Sequence, residues 1–169
     1  MKMFSVLVLV LAATLSFGAI PEVWETVEFS WTGDNGCRAS GSMTYNDNYS
    51  TISYSSGSGT GIDDLTINFY DSSDQFLGTF QNVVNGVVNY SGLTLVFDTG
   101  ALTFGDATDV VAFGSNIYTL RYSNSNFILN NAQTLDVLDS SSEGLFVTPE
   151  PATMALLGLG GMFIRRRRK

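Results

Sequence analysis

Leu65-Thr66-Ile67-Asn68-Phe69-Tyr70 is followed by Asp71-Ser72-Ser73-Asp74 and then by Gln75-Phe76-Leu77-Gly78-Thr79-Phe80. Leu65, Ile67 and Phe69 fall two apart, with Thr66 and Asn68 between them. A period of two puts the apolar set on one face of a strand and the polar set on the other, as in antiparallel sheets with one wet side. The Asp/Ser cluster that follows is turn chemistry. A second apolar run comes directly after it, so the stretch reads as two strands around a turn.

The same pattern extends in both directions. Val27, Phe29 and Trp31 alternate with Glu28 and Ser30. Met43-Tyr45 and Ile52-Tyr54 are shorter versions, and Leu93-Leu95-Phe97 a looser one because Val96 shares the second face with Thr94. Asn85-Gly86 stands between Val83-Val84 and Val87-Val88. Asn-Gly accepts positive φ at both central positions of a turn, so this is a strong two-residue hairpin signal. Ser123-Asn124-Ser125-Asn126 and Asp98-Thr99-Gly100 separate further pairs of apolar runs. About ten short strands at regular spacing predict an all-β body, an antiparallel β-sandwich with a closed barrel as the alternative. No segment repeats with a period of 20–50 residues. The body is expected over residues 19–139, with Ser140-Ser141-Ser142-Glu143-Gly144 opening a linker over 140–148. Leu145-Phe146-Val147 reads either as part of that linker or as a last edge strand.

Charge is unevenly spread. Of eight basic residues, one is Lys2 and five are Arg165, Arg166, Arg167, Arg168 and Lys169. Between Ile20 and Thr148 the two cations Arg38 and Arg121 face fifteen acids, which leaves that span at −13. Such a body repels phosphate backbones, so nucleic acid is not an expected partner. It has no His and no Lys, which excludes Ser-His, Cys-His and Ser-Lys catalytic pairs and His-ligated zinc. Cys37 is the single cysteine. It can form no intrachain disulfide and reads as a stray thiol, or else as one half of an intermolecular bond.

The two ends carry a different message. Met1–Ala19 places Lys2 before an apolar run from Phe4 to Leu15, with the small residues Ser16, Gly18 and Ala19 after it. This is the order of a secretory signal peptide. Cleavage after Gly18 puts Ser16 and Gly18 in the two small positions, which sets the signal at 1–18. The alternative is an uncleaved N-terminal anchor. At the other end, Pro149-Glu150-Pro151 punctuates the chain, because proline cannot sit inside a helix that begins upstream. Ala152–Ile164 is mostly apolar and contains Gly158, Gly160 and Gly161. As a helix it covers about 20 Å of a hydrocarbon core about 30 Å thick, a marginal transmembrane span. The five cations then act as a stop that stays on the cytoplasmic side.

An accessible motif, a weak span and a basic plug, in that order, resemble the PEP-CTERM sorting signal of Gram-negative envelope proteins. The resemblance covers residues 149–169 and rests on Pro149, Glu150, Pro151, the Gly-containing apolar stretch and the Arg cluster. It implies recognition by an exosortase, a membrane-embedded transpeptidase-like enzyme. It further implies transient anchoring in the inner membrane, removal of the tail, and delivery to the cell envelope or the extracellular space. A plain membrane anchor that is never cut is the alternative. The resemblance implies nothing about the body.

Within the body three constellations could carry binding or chemistry. Ser58-Gly59-Thr60-Gly61-Ile62-Asp63-Asp64-Leu65 resembles one calcium-binding nonapeptide, with Asp63 and Asp64 as the acids a calcium ion would use, but such sites form between stacked copies and only one copy occurs. The reading preferred is a Gly/Ser loop entering a strand, with no metal and no cofactor expected. Acids around Asp106 to Asp109 offer a further weak calcium site. Tyr45, Tyr49, Tyr54, Tyr70, Tyr90, Tyr118 and Tyr122 would, if exposed, form a platform for an exopolysaccharide; otherwise they are core. Two carboxylates would suffice for a glycosidase, though Asp63 and Asp64, as neighbours on a strand, are expected on opposite faces. The expectation is a non-enzymatic surface or matrix protein. A carbohydrate-binding module, with or without calcium, is the first alternative and a glycosidase the second.

Overall fold

The computed structural model describes residues 22–105, 112–123 and 125–149. Fourteen strands occur among them: β1 (Trp24–Thr32), β2 (Arg38–Asn46), β3 (Thr51–Ser55), β4 (Ser58–Gly59), β5 (Ile62–Tyr70), β6 (Phe76–Val84), β7 (Val87–Val88), β8 (Leu95–Asp98), β9 (Thr103–Phe104), β10 (Ala112–Gly114), β11 (Tyr118–Ser123), β12 (Asn126–Asn131), β13 (Val137–Ser141) and β14 (Phe146–Pro149). They form one six-stranded sheet, β14-β1-β2-β5-β6-β7, and two four-stranded sheets, β10-β11-β12-β13 and β4-β3-β8-β9. Every ladder is antiparallel. No helix occurs among the described residues and no sheet closes on itself, so the barrel alternative falls.

The turns behave as their residues require. Val84 pairs with Val87 around Asn85 (φ 48°) and Gly86 (φ 74°), the two positive values of a type I′ hairpin. Asp71 closes the β5–β6 turn by accepting N–H bonds from Ser73 and Gln75 through Oδ1. Ser123 pairs with Asn126 in the β11–β12 hairpin, and Asp98 with Thr103 between β8 and β9.

The stretch expected as a linker over 140–148 instead carries strand at both ends. Ser140 and Ser141 finish β13, opposite Ile128 and Phe127. Phe146–Pro149 forms β14, the outermost strand of the six-stranded sheet. Leu145 and Val147 pack against the core, which holds the segment down. Composition hid this, because a Ser-Ser-Ser-Glu-Gly run looks the same in a linker and in a tight connection between strands. The edge-strand reading of Phe146 and Val147 is the one that holds.

The alternating residues meet in one core. Val27, Phe29, Trp31, Leu65, Ile67, Phe69, Leu93, Leu95 and Phe97 are all buried, and each such side chain contributes about 1.5–3 kcal/mol of hydrophobic stabilisation. Phe29 of the six-stranded sheet lies 5.2 Å from Phe104 and 5.6 Å from Phe113, ring centre to ring centre. Tyr45 lies 5.1 Å from Phe97. Both smaller sheets therefore cover the inner face of the large one, in a sandwich-like arrangement.

One polar residue stitches the layers. In β6 the register passes from Val83 opposite Leu65 to Gln81 opposite Thr66, so Asn82 is the extra residue of a bulge. The bulge turns its side chain inward, where it is fully buried. Asn82 donates from Nδ2 to the Gly114 carbonyl (2.6 Å) and accepts the Gly114 N–H at Oδ1 (2.9 Å). The amide thus pairs with β10 as a peptide unit of a neighbouring strand would.

Candidate functional site

The C-terminal signal is attached to the fold through β14. Antiparallel to β1, this strand pairs Phe146 with Ser30, Val147 with Phe29, Thr148 with Glu28 and Pro149 with Val27. Proline lacks the N–H that a ladder needs and belongs on an edge, and that is where Pro149 sits. The first residue of the Pro-Glu-Pro motif is therefore the last residue of a docked strand. Glu150, Pro151, the apolar stretch 152–164 and the cluster Arg165, Arg166, Arg167, Arg168 and Lys169 lie outside the described residues, as does the signal peptide at 1–18.

β14 points toward the beginning of β1. At that end Trp24 pairs with Asn46, and Asp47 donates its N–H to the Val23 carbonyl (2.8 Å). Tyr49 donates its N–H to the Asn46 carbonyl (3.3 Å), and Asn46 donates to Gly61 (2.8 Å). The start of the described chain, the β2–β3 turn and the departure of the tail thus share one end of the sheet. Val23, Trp24 and Tyr49 are exposed there, at 44%, 44% and 46%. No local signal announces this grouping, because it depends on the β1–β2 register and on the pairing of β14 with β1.

The body's candidates fare differently. Asp63 is the extra residue of a bulge between β5 and β2, where Thr44 faces Asp64 and Tyr45 faces Ile62. Both aspartates are half-buried between the buried Ile62 and Leu65. The expectation that they face opposite sides is thus corrected: the inserted residue breaks the alternation, and neither points into the core. Their roles are structural. Asp64 accepts the Asn85 N–H (3.2 Å) and the Asp63 carbonyl accepts that of Gly86 (2.8 Å), which fastens the β6–β7 hairpin. No group of three or more His, Cys, Asp or Glu side chains able to hold a metal ion occurs among the described residues. Asp106 to Asp109 lie outside them.

Six of the seven tyrosines do not stand free. Tyr45 and Tyr54 are buried, while Tyr90, Tyr118 and Tyr122 pack against the core. Tyr70 lies against Phe76 and under the Arg38 guanidinium. Burial first, then the Glu25 and Asp47 carboxylates, push the Tyr45 phenol far above its ordinary range, and burial raises Tyr54 as well. Only Tyr49 among them is exposed, so these rings do not form a sugar platform. Cys37 is buried, and burial together with the charges of Asp139 and Asp71 raises its pKa. Such a thiol is unreactive, which disfavours an intermolecular disulfide.

Shallow grooves occur among the described residues, and three of them bear on the candidates. One, of about 340 Å³, lies on the outer face of the six-stranded sheet among Glu28, Ser30, Ser40, Ser42, Asn68 and Thr148. The other two, near Tyr90 and near Phe127, contain no carboxylate. None of the three brings two acids together, as a glycosidase would need.

Asp139 is the acid that sequence reasoning overlooked. It is 2% exposed. Its carboxylate accepts the Asn35 N–H (3.0 and 3.1 Å), the Asn35 side-chain amide (2.9 Å), the Cys37 N–H (2.9 Å) and the Ser140 N–H (2.8 Å). Burial alone would raise its pKa. The hydrogen bonds from Cys37, Asn35 and Ser140 outweigh that and hold it below the usual carboxylate range. Asp139 is a clasp between β13 and the β1–β2 turn.

The described body is thus all-β, and its final described strand ends at the start of the C-terminal tail. Residues 147–169 match the family model of the PEP-CTERM protein-sorting motif. The match implies an exported protein, bound for the cell envelope or the extracellular space and processed by an exosortase. No curated protein and no solved structure matches the chain.

Proposed function

We propose that this protein is an exosortase substrate whose body serves outside the cell in a structural or binding role without catalysis. A signal peptide over residues 1–18 directs export. The stretch 152–164 holds the chain briefly in the inner membrane, with Arg165–Lys169 on the cytoplasmic side. Cleavage at the Pro149-Glu150-Pro151 motif then frees the body. The observation that carries the reading is the PEP-CTERM match over 147–169, together with an edge strand that delivers Pro149 to the sheet margin. The test is mass spectrometry of the mature chain recovered from outside cells that contain an exosortase. A product lacking Arg165–Lys169 is expected, with uncut chain held in the inner membrane when Pro149, Glu150 and Pro151 are all replaced by Ala. Full-length chain with its cations, recovered outside the cell, sinks the reading.

A second reading is a polysaccharide-binding module. It rests on the groove over the six-stranded sheet, where small hydroxyl side chains surround Glu28. Hydroxyl, amide and carboxylate groups at a shallow surface can hydrogen-bond sugar hydroxyls. Glycan-array screening with and without calcium tests it. Absence of binding in both conditions removes it.

A further inference from the structure

Trp24, Tyr49 and Val23 are exposed at the end of the sheet toward which β14 delivers the tail. We propose that this end of the body rests in the headgroup layer of the bilayer while the tail is anchored. The proposal rests on the anchoring described above and adds to it the surface of the body that meets lipid.

The geometry is specific. Pro149 faces Val27, and β14 runs toward Trp24. Trp24 is three residues beyond Val27, about 10 Å at strand rise. The next residues of the chain, Glu150 and Pro151, precede the apolar stretch that begins at Ala152. A two-residue spacer reaches about 7 Å when fully extended, so a span starting at Ala152 leaves the body little room to stand away from the membrane. Exposed Trp and Tyr favour the layer in which a ring is half in lipid and half in water. Trp24 and Tyr49 supply two such rings at this end, and Val23 adds apolar area.

Charge narrows the surface. Glu22, Glu25 and Asp47 are exposed at the same end. These acids oppose an anionic surface, so the partner is an interface of zwitterionic headgroups. The opposite end of the sheet has the Gly33–Cys37 turn, Arg38 and the 71–74 turn; Phe76 is exposed there, but no Trp or Tyr, the rings with a polar handle for the interface, is exposed as Trp24 and Tyr49 are.

The protein's two tryptophans make the test direct. Trp31 is buried and its indole N–H has no hydrogen-bond acceptor, so Trp31→Phe removes some ring volume but no hydrogen bond. The full chain carrying Trp31→Phe is reconstituted into phosphatidylcholine vesicles, and flotation reports whether the tail is inserted. Trp24 emission should then be blue-shifted relative to the tail-less body in water, and quenched by lipids brominated near the top of the acyl chain. Tyr49→Ser together with Val23→Ser should reverse part of the blue shift. Replacing some of the lipid with phosphatidylglycerol should reduce the quenching. Should Trp31→Phe fail to fold, the wild-type spectrum minus that of Trp24→Phe isolates the same signal. Vesicles that float with Trp24 emission still that of an indole in water overturn this proposal alone. Failure to float overturns it together with the anchoring beneath it. Quenching that rises with anionic lipid overturns the assignment to a zwitterionic interface.

Discussion

The two ends of the six-stranded sheet are built on opposite principles. At one, the β1–β2 turn is clasped by a buried carboxylate, Asp139, and Asp34 donates its N–H to the Ser140 carbonyl (3.0 Å). At the other, the chain leaves along β14 beside exposed aromatic rings. The first end holds a buried carboxylate whose donors are satisfied, although Phe76 is exposed beside it; the second has no such clasp and shows Trp24, Tyr49 and Val23. A buried charge specifies one arrangement because any other leaves donors unpaired. Exposed apolar area specifies nothing by itself and waits for a partner. The buried clasp and the departure of the chain toward its tail therefore sit at opposite ends of one sheet.

The sharpest way to break this contrast is to open the closed end. Asp139→Ala leaves the buried Cys37 N–H without an acceptor and takes away the bonds that hold Asn35, at a cost of about 3 kcal/mol. Urea unfolding should show it as a lowered midpoint with an unchanged slope. Gly33→Ala attacks the same place from the other side, since an added Cβ would lie 2.3 Å from the Asp139 carboxylate. The acid dependence has a definite sign. A folded-state pKa below the unfolded value of about 3.9 means that Asp139 stabilises the fold above that value, and that this contribution is lost as pH falls through the lowered folded pKa. Melting temperature followed downward from pH 6 should fall, and Asp139→Asn should flatten the fall. An equally steep curve in the variant would remove Asp139 as its source.

Nearer the open end the layers are joined by Asn82. Asn82→Leu keeps the volume but strands the Gly114 N–H and carbonyl, for a loss of about 2 kcal/mol. Asn82→Asp keeps the acceptor and loses the donor, so it should also weaken the fold, and more so as pH rises and the carboxylate ionises. Hydrogen exchange at the Gly114 amide is the local readout, and it should quicken in both variants before the core amides of β2 and β5 do. A smaller effect is expected at the hairpin tip. Gly86→Ala finds open space but must hold φ 74°, which costs about 1 kcal/mol and should appear as a modest drop in melting temperature.

These residues also mark what a sequence discloses. Period-two alternation in Val27-Phe29-Trp31 and Leu65-Ile67-Phe69 exposed the core faces, and Asn85-Gly86 its hairpin, because those signals are local. The tail was legible for the same reason: charge, span and motif are contiguous. The bulges at Asp63 and Asn82 were not, since an inserted residue is defined only against its partner strand. Asp139 looked like any acid in a polar run; its donors, Asn35 and Cys37, lie about a hundred residues away. β14 was one of two readings of Leu145-Phe146-Val147, and its pairing with β1, which sets the shared end from which the tail departs, is a long-range contact that no local signal carries.

The smallest effect is expected at Arg38. Arg38 also sits at the closed end, where it bonds the Asp74 carboxylate and lies 5.1 Å from the centre of the Tyr70 ring. It looks like a second clasp. Yet both partners face water, with side chains 46% and 68% exposed. An exposed pair gives up little solvation and gains little, because water and salt screen the attraction. Arg38→Ala should therefore cost well under about 1 kcal/mol, and most of that should vanish in high salt, leaving only the contact with the ring. A double-mutant cycle with Asp74→Ala measures the coupling directly. Coupling as large as the loss in Asp139→Ala would mean that the closed end is held by its surface rather than by the buried carboxylate.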